Sequence, residues 1–114
     1  MIELNNKAEW DEQIAKQELT VAKFYTAWCP DCHRIDPFMP ELEKQFKDQI
    51  SFVSLDRDRF PELSQQLDIF GIPSFIAFKN GQELIRFVSK LGKSREEIEH
   101  FLQRAVQVAS TLDE

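Results

Sequence analysis

The chain has 114 residues, 42% of them hydrophobic and 30% charged, with ten Phe and two Cys. That length supplies one core and not two, so a single domain over residues 1–114 is expected, and the Phe content lets it fold without a structural staple. The net charge of −6 disfavours nucleic acid and anionic membranes as partners. No apolar run approaches the ~20 residues of a membrane span. Met1 to Asn6 carry neither a basic nor an apolar leader pattern, so no secretory signal is read and a cytoplasmic location is expected. In a reducing compartment, two close cysteines point to catalysis or metal binding before a structural bridge.

In chain order, residues 2–4 read as a short edge strand. Asn6 followed by Glu9 has the form of a capping box opening a helix over 7–16, with Trp10 and Ile14 on one face. Residues 19–25 read as a buried strand through Val21, Ala22, Phe24 and Tyr25. From 29 to 47, Ile35, Phe38, Met39, Leu42 and Phe46 fall at i, i+3, i+4, i+7 and i+11, the stripe of one long helix. Pro30 is tolerated near its start. Pro37 removes a ladder hydrogen bond and predicts a kink, which Pro40 in the following turn widens. Residues 51–55 read as a second buried strand and 56–60 as a charged, solvated loop. Pro61 sits at the first position of a helix over 61–67. The run Ile69-Phe70-Gly71-Ile72-Pro73 ends that helix and leads into a strand over 74–79.

Asn80-Gly81 predicts a type I′ hairpin into a further strand over 84–88. Ser94 with Glu97 forms a second capping box. The helix it opens carries Ile98, Phe101, Leu102, Ala105, Val106 and Ala109 on one stripe, with fraying expected over the last few residues. The order (β)αβαβαββα places parallel βαβ units before an antiparallel hairpin and a terminal helix. Crossover helices cover a sheet on both faces, which predicts an α/β fold. Its form would be a three-layer α/β/α sandwich with a central mixed sheet of four or five strands.

The chemistry concentrates in Trp28-Cys29-Pro30-Asp31-Cys32, which holds both cysteines. The preceding strand and following helix place this dithiol at a strand-to-helix junction. At the helix start, unsatisfied N–H groups and the dipole favour a thiolate on Cys29. Cys32 lies one turn on and on the same face, so its sulfur reaches back to Cys29. Repulsion from Asp31, at ~5 Å in water, amounts to only ~0.8 kcal/mol.

Other readings of the same residues are weaker. Two inert core thiols would not need this junction. Cys29-Pro30-Asp31-Cys32-His33 also fits a haem-attachment pattern, but the flanking strand is wrong for it and nothing suggests export. Zinc needs four ligands, and beyond the cysteines only His33 and His100 are present, so no metal is expected.

With these residues in view the chain resembles the thioredoxin family over essentially its full length. The resemblance rests on Phe24-Tyr25-Thr26-Ala27-Trp28-Cys29-Pro30-Asp31-Cys32, Pro37, Asp58 with Pro61-Glu62-Leu63, Gly71-Ile72-Pro73-Ser74 and Phe78-Lys79-Asn80-Gly81. It implies a thioredoxin-like fold, a cis Ile72-Pro73 peptide packed against the dithiol, and thiol–disulfide exchange through Cys29 and Cys32. Trp28, Pro30, Asp31, Ile72 and Pro73 would then contact substrate, with the indole of Trp28 exposed. Four departures stand out. Pro-Asp replaces the usual Gly-Pro between the cysteines, as in small cytosolic thioredoxin-related proteins. The usual buried acid falls on Lys23, and its usual Lys partner falls on Ser54. The loop between Val88 and Ser94, beside the substrate groove, is longer than usual.

The Lys23 stem is expected to snorkel, with its ammonium meeting an Asp or Glu at the strand end; a lysine with depressed pKa beside Cys32 is the sharper alternative. His33 reads as a surface side chain, or else as an imidazolium that favours a thiolate.

The function expected is reduction of protein disulfides by dithiol exchange, with Cys29 exposed as nucleophile and Cys32 buried as resolver. The only redox group would be the Cys29–Cys32 disulfide itself, with no separate cofactor. Disulfide-containing proteins would be the substrates, and a reductase, for which thioredoxin reductase is the candidate, the electron donor; a monomer is expected. A thioredoxin-fold binding module and a redox sensor without turnover are the alternatives.

Overall fold

The computed structural model describes residues 1–112. Its elements are β1 (Ile2–Glu3), α1 (Lys7–Ile14), β2 (Thr20–Tyr25), α2 (Pro30–Ile35), α3 (Met39–Gln45), β3 (Ser51–Asp56), a 3-10 turn (Arg57–Arg59), α4 (Pro61–Gln66), β4 (Ser74–Lys79), β5 (Gln82–Phe87) and α5 (Arg95–Leu112). The strands form one five-stranded sheet in the order β1-β3-β2-β4-β5. β1 and β2 run parallel to β3, whereas β4 is antiparallel to both β2 and β5. The mixed sheet follows from the connections. A crossover through α2 and α3 joins β2 to β3, and the tight Asn80-Gly81 turn joins β4 to β5. Asn80 (φ 53°) and Gly81 (φ 79°) both adopt the left-handed conformation that a type I′ turn requires.

Alternation along the strands splits the core in two. Val21, Phe52, Phe75 and Ala77 face Leu42 and Phe46 of the α3 segment and Ile98, Phe101, Leu102 and Ala105 of α5. Ala22, Phe24, Val53, Leu55, Ile76 and Phe78 face Trp10 of α1 and Leu63 beside Phe60, Ile69 and Ile72. Trp10 packs edge-on to Phe24 and Phe78, with centroids 5.9 and 5.1 Å away. The result is the expected three-layer α/β/α arrangement.

The helix expected over 29–47 is two helices. Pro37 has no N–H to donate, and α2 ends at Ile35, where Phe38 N–H bonds Ile35 O at 3.2 Å. α3 restarts with Pro40 in its first turn. The break lets α2 point its Cys32 toward one core while α3 covers the other. The loop expected over 56–60 contains a 3-10 turn capped by Asp56, whose carboxylate accepts Asp58 N–H at 2.9 Å. At α5 the capping box closes in both directions: Ser94 N–H to Glu97 at 3.0 Å and Glu97 N–H to Ser94 Oγ at 3.1 Å. The fraying expected at the C-terminus falls partly on Asp113 and Glu114, outside the described residues, and α5 is helical to Leu112. Among the described residues no helix is long and apolar enough to cross a membrane.

Core burial should outweigh capping. In urea denaturation Leu102→Ala, at a fully buried site, is expected to cost about 2–5 kcal/mol, and Ser94→Ala about 1 kcal/mol. Equal losses would contradict this division.

Candidate active site

β2 is buried along most of its length, and the chain leaving it turns at Ala27 and Trp28 to deliver Cys29 to the start of α2. Cys29 is the N-cap residue. Its extended backbone (φ −84°, ψ 113°) aims Sγ back over the first turn, where it accepts Cys32 N–H at 3.2 Å. A sulfur here does what an Asp or Ser oxygen does at ordinary N-caps, and donated N–H groups favour its anionic form. Pro30 fits the first turn because its missing N–H would have been an orphan. Cys29 and Cys32 are both free and sit 2.6 Å apart.

The second wall is the segment 70–74. Ile72-Pro73 is cis, and Cys29 Sγ lies 3.9 Å from Ile72 O. The third wall is the loop 88–94. Gly71 approaches it so closely that a Cβ there would lie 1.9 Å from Ser89 O, so no side chain is possible at position 71. Gly92 of the same loop faces Asp31, whose Oδ1 would be 3.2 Å from an added Cβ. Asp31 also pairs with Arg34.

These walls change one expectation. Cys32 is buried as expected, 4% exposed, but Cys29 is covered as well, at 5%, instead of standing open beside Trp28. The cis-proline segment and the N-cap geometry hold its sulfur inward. Trp28 is exposed as the resemblance implied, at 64%, and its indole N–H donates to Asp58 at 2.8 Å. Asp58, expected in a merely solvated loop, therefore fixes the orientation of the indole. Of the remaining residues singled out for the groove, Pro30 is exposed, Asp31 half-buried, and Ile72 and Pro73 buried beside the sulfurs. All of them meet at one site.

The two sulfurs differ electrostatically. The Cys32 thiol is pushed up to about 12, first by burial and then by its hydrogen bond with Cys29, while a backbone hydrogen bond at Thr26 and the charge of Lys23 act the other way. Among the described residues Lys23 does not end on a carboxylate. Its ammonium lies 5.1 Å over the ring of Tyr25, a cation–π contact. The nearby acid is instead taken up by neutral partners: Glu3 accepts the Tyr25 hydroxyl and the Ser54 hydroxyl, each at 2.8 Å. Burial, with the bond to Glu3, raises the Tyr25 pKa. The two positions where the resemblance implies a buried Asp–Lys pair, Lys23 and Ser54, are linked here through Tyr25 and Glu3.

Two residues that bear on this network and on the loop, Glu3 and Lys93, were not singled out by sequence reasoning, and Tyr25 only as a strand and motif residue. The only signal for Lys93 was the extra length of its loop. Among the described residues no group of three or more His, Cys, Asp or Glu is arranged to hold a metal.

His33 is exposed and spans the outer turn, with Nε2 2.6 Å from Ala27 O and Nδ1 3.3 Å from Asp36. The Ala27 carbonyl and then Asp36 raise its pKa above the usual 6.5. Because the folded value is raised, this contribution to stability is full below 6.5 and is lost as pH rises through the folded value. Proton NMR titration should place the His33 midpoint above 6.5, with Asp36→Asn lowering it; a midpoint unmoved by Asp36→Asn would contradict the pairing.

The Thioredoxin family model matches residues 1–104. Thioredoxin-1 of Saccharomyces cerevisiae is 33% identical over 81 residues, covering 71% of this chain and 78% of that protein. Mitochondrial Thioredoxin-2 of Schizosaccharomyces pombe is 31% identical over 80 residues, covering 70% of this chain but only 59% of that protein. The solution structure of oxidised thioredoxin from Plasmodium falciparum superposes with a TM-score of 0.80 at 24% identity, covering 93% of this chain and 98% of that one. A junction dithiol, a cis-proline wall and matches of this extent agree, and the chain belongs to the thioredoxin family of thiol–disulfide oxidoreductases.

Proposed function

We propose that this protein reduces disulfides in other proteins, with Cys29 as nucleophile and Cys32 as resolving thiol. The observation that carries the reading is the asymmetry of the pair. Cys29 Sγ receives a backbone N–H at 3.2 Å, whereas the Cys32 thiol is held protonated by burial. The thiolate of Cys29 attacks one sulfur of a substrate disulfide. A Cys29–substrate bond forms, the substrate S–S bond breaks, and the departing sulfur leaves as thiolate and takes a proton from water. Cys32 then loses its proton and attacks Cys29 Sγ. A Cys29–Cys32 disulfide forms, and the second substrate sulfur leaves reduced. Two electrons have passed to the substrate, and a reductase of the thioredoxin-reductase type would return them.

Trp28, Pro30 and Asp31 on one side and Ile72 and Pro73 on the other would seat the polypeptide around the substrate disulfide. The indole is held outward for this by Asp58. With Cys29 largely covered, approach is confined to the opening between these two segments. The reading places the protein in the cytoplasm, as a monomer with no cofactor beyond its own dithiol.

The protein should accelerate reduction of insulin by dithiothreitol. Cys29→Ser should abolish that acceleration, and equal rates for the two would sink the reading. In cells Cys32→Ser should accumulate mixed disulfides that dithiothreitol releases, and Cys29→Ser none; the reverse pattern on a non-reducing gel would exchange the two roles.

The second step has a cost in this chain. A thiol that burial holds protonated must give up its proton, and where the resemblance implies a buried acid this chain has Lys23. Release of the mixed disulfide should therefore be slow, and Lys23→Asp, which introduces a base, should speed it in stopped-flow measurements. Unchanged release rates would refute this account of the step.

A further inference from the structure

Lys93 is a lysine with its charge inside the protein. It is 8% exposed, at the end of the loop that closes the third side of the dithiol. Its ammonium donates to Ser89 O (3.4 Å), Ser89 Oγ (3.2 Å) and Leu91 O (3.2 Å), and lies 5.0 Å from the centre of the Phe87 ring. Three donors thus meet three oxygens, two of them carbonyls that can only accept, which is the arrangement of a charged ammonium. Among the described residues no carboxylate lies within ion-pair distance of it. A charge satisfied only by neutral oxygens is a costly way to brace a loop, because an apolar side chain would fill the same space without desolvation.

The loop is also fixed in position. Ser89 is wedged against Gly71, next to the cis Ile72-Pro73 bond, and Gly92 against Asp31, between the cysteines. The loop cannot move away from the dithiol without breaking both contacts. The groups that act on it are Glu97 on α5, and Cys32, Asp31 and Cys29 at the start of α2. Glu97 is itself committed to Ser94 through the capping box, and Asp31 to Arg34. Cys29 Sγ meets only Cys32 N–H and Ile72 O, so among the described residues neither sulfur has an ion-pair partner. On the far side, Lys23 of β2 contributes a second positive charge toward Cys32.

We propose that Lys93 is a positioning residue for the exchange reaction, its enclosed ammonium supplying fixed positive charge that stabilises negative charge on the dithiol sulfurs. Burial lowers the Lys93 pKa, and the neighbouring acids and sulfurs oppose that shift. The ammonium therefore gains from each sulfur that ionises, and by reciprocity each sulfur gains from the ammonium. The same loop carries Leu91 at its tip, 74% exposed, so one segment presents an apolar contact outward and a charge inward. The inference rests on the reductase reading for its biological meaning but not for its test.

The test is the pH dependence of iodoacetamide alkylation of the single thiol in Cys32→Ser protein, with Lys93 intact or replaced. Lys93→Met and Lys93→Gln should each move the inflection upward by about half a pH unit or more, roughly a threefold slower reaction on the acid limb. Lys93→Gln retains an N–H donor for the loop carbonyls, so it reads the charge even if Lys93→Met folds poorly. Lys93→Arg should restore the original inflection. An inflection unmoved in Lys93→Gln would overturn the proposal. So would an equal shift in Lys93→Arg, because the effect would then come from packing and not charge. Alkylation reports on the sulfur alone. A protein that fails to reduce insulin yet shows the shift would refute the reductase reading and leave this one standing.

Discussion

The Cys32 N–H donated to Cys29 Sγ is the contact on which the site depends. It makes the nucleophile a structural part of α2, the cap that satisfies one of the helix's orphan donors. Chemistry and local fold are therefore inseparable. The sulfur can receive that N–H only if β2 ends where it does and α2 begins at Pro30. Pro37 stops α2 after Ile35 and lets α3 cover the other face of the sheet.

Around this cap the fold brings three segments distant in sequence. The turn 26–32 carries the dithiol, the segment 70–74 presents Ile72 O and the cis-proline, and the loop 88–94 closes the remaining side. Two glycines permit the approach. Gly71 lies where any side chain would collide with Ser89 O, and Gly92 lies against the Asp31 carboxylate. The same crowding covers Cys29.

The electrostatics have been rearranged relative to the family pattern. The acid of the usual buried pair has become Lys23, resting on Tyr25, and the negative charge has moved to Glu3 on the edge strand, held by Tyr25 and Ser54. Positive charge thus faces the dithiol from β2 and, through Lys93, from the opposite loop. Such an arrangement supports a thiolate but supplies no base to the resolving thiol. In the proposed reaction it favours the first step over the second.

Much of this was legible in the sequence where the determinants are local. Periodicity, the Asn80-Gly81 turn and the Ser94–Glu97 box place elements within a residue or two of their observed ends, because each depends on neighbours three or four positions away. The dithiol was legible for the same reason, as Cys29 and Cys32 lie on one turn of one helix. The cis peptide was legible only through resemblance. The rest was decided by tertiary structure. Asp58 meets Trp28 across thirty positions, and Glu3 meets Ser54 across fifty-one. Lys93 is buried because Gly71 lets its loop close down. Cys29 is covered by a segment forty-three positions away. A charged or polar side chain reads as surface until the chain returns to enclose it, and where it returns is set by sheet order and by the packing of two cores, neither of which is a property of neighbouring residues.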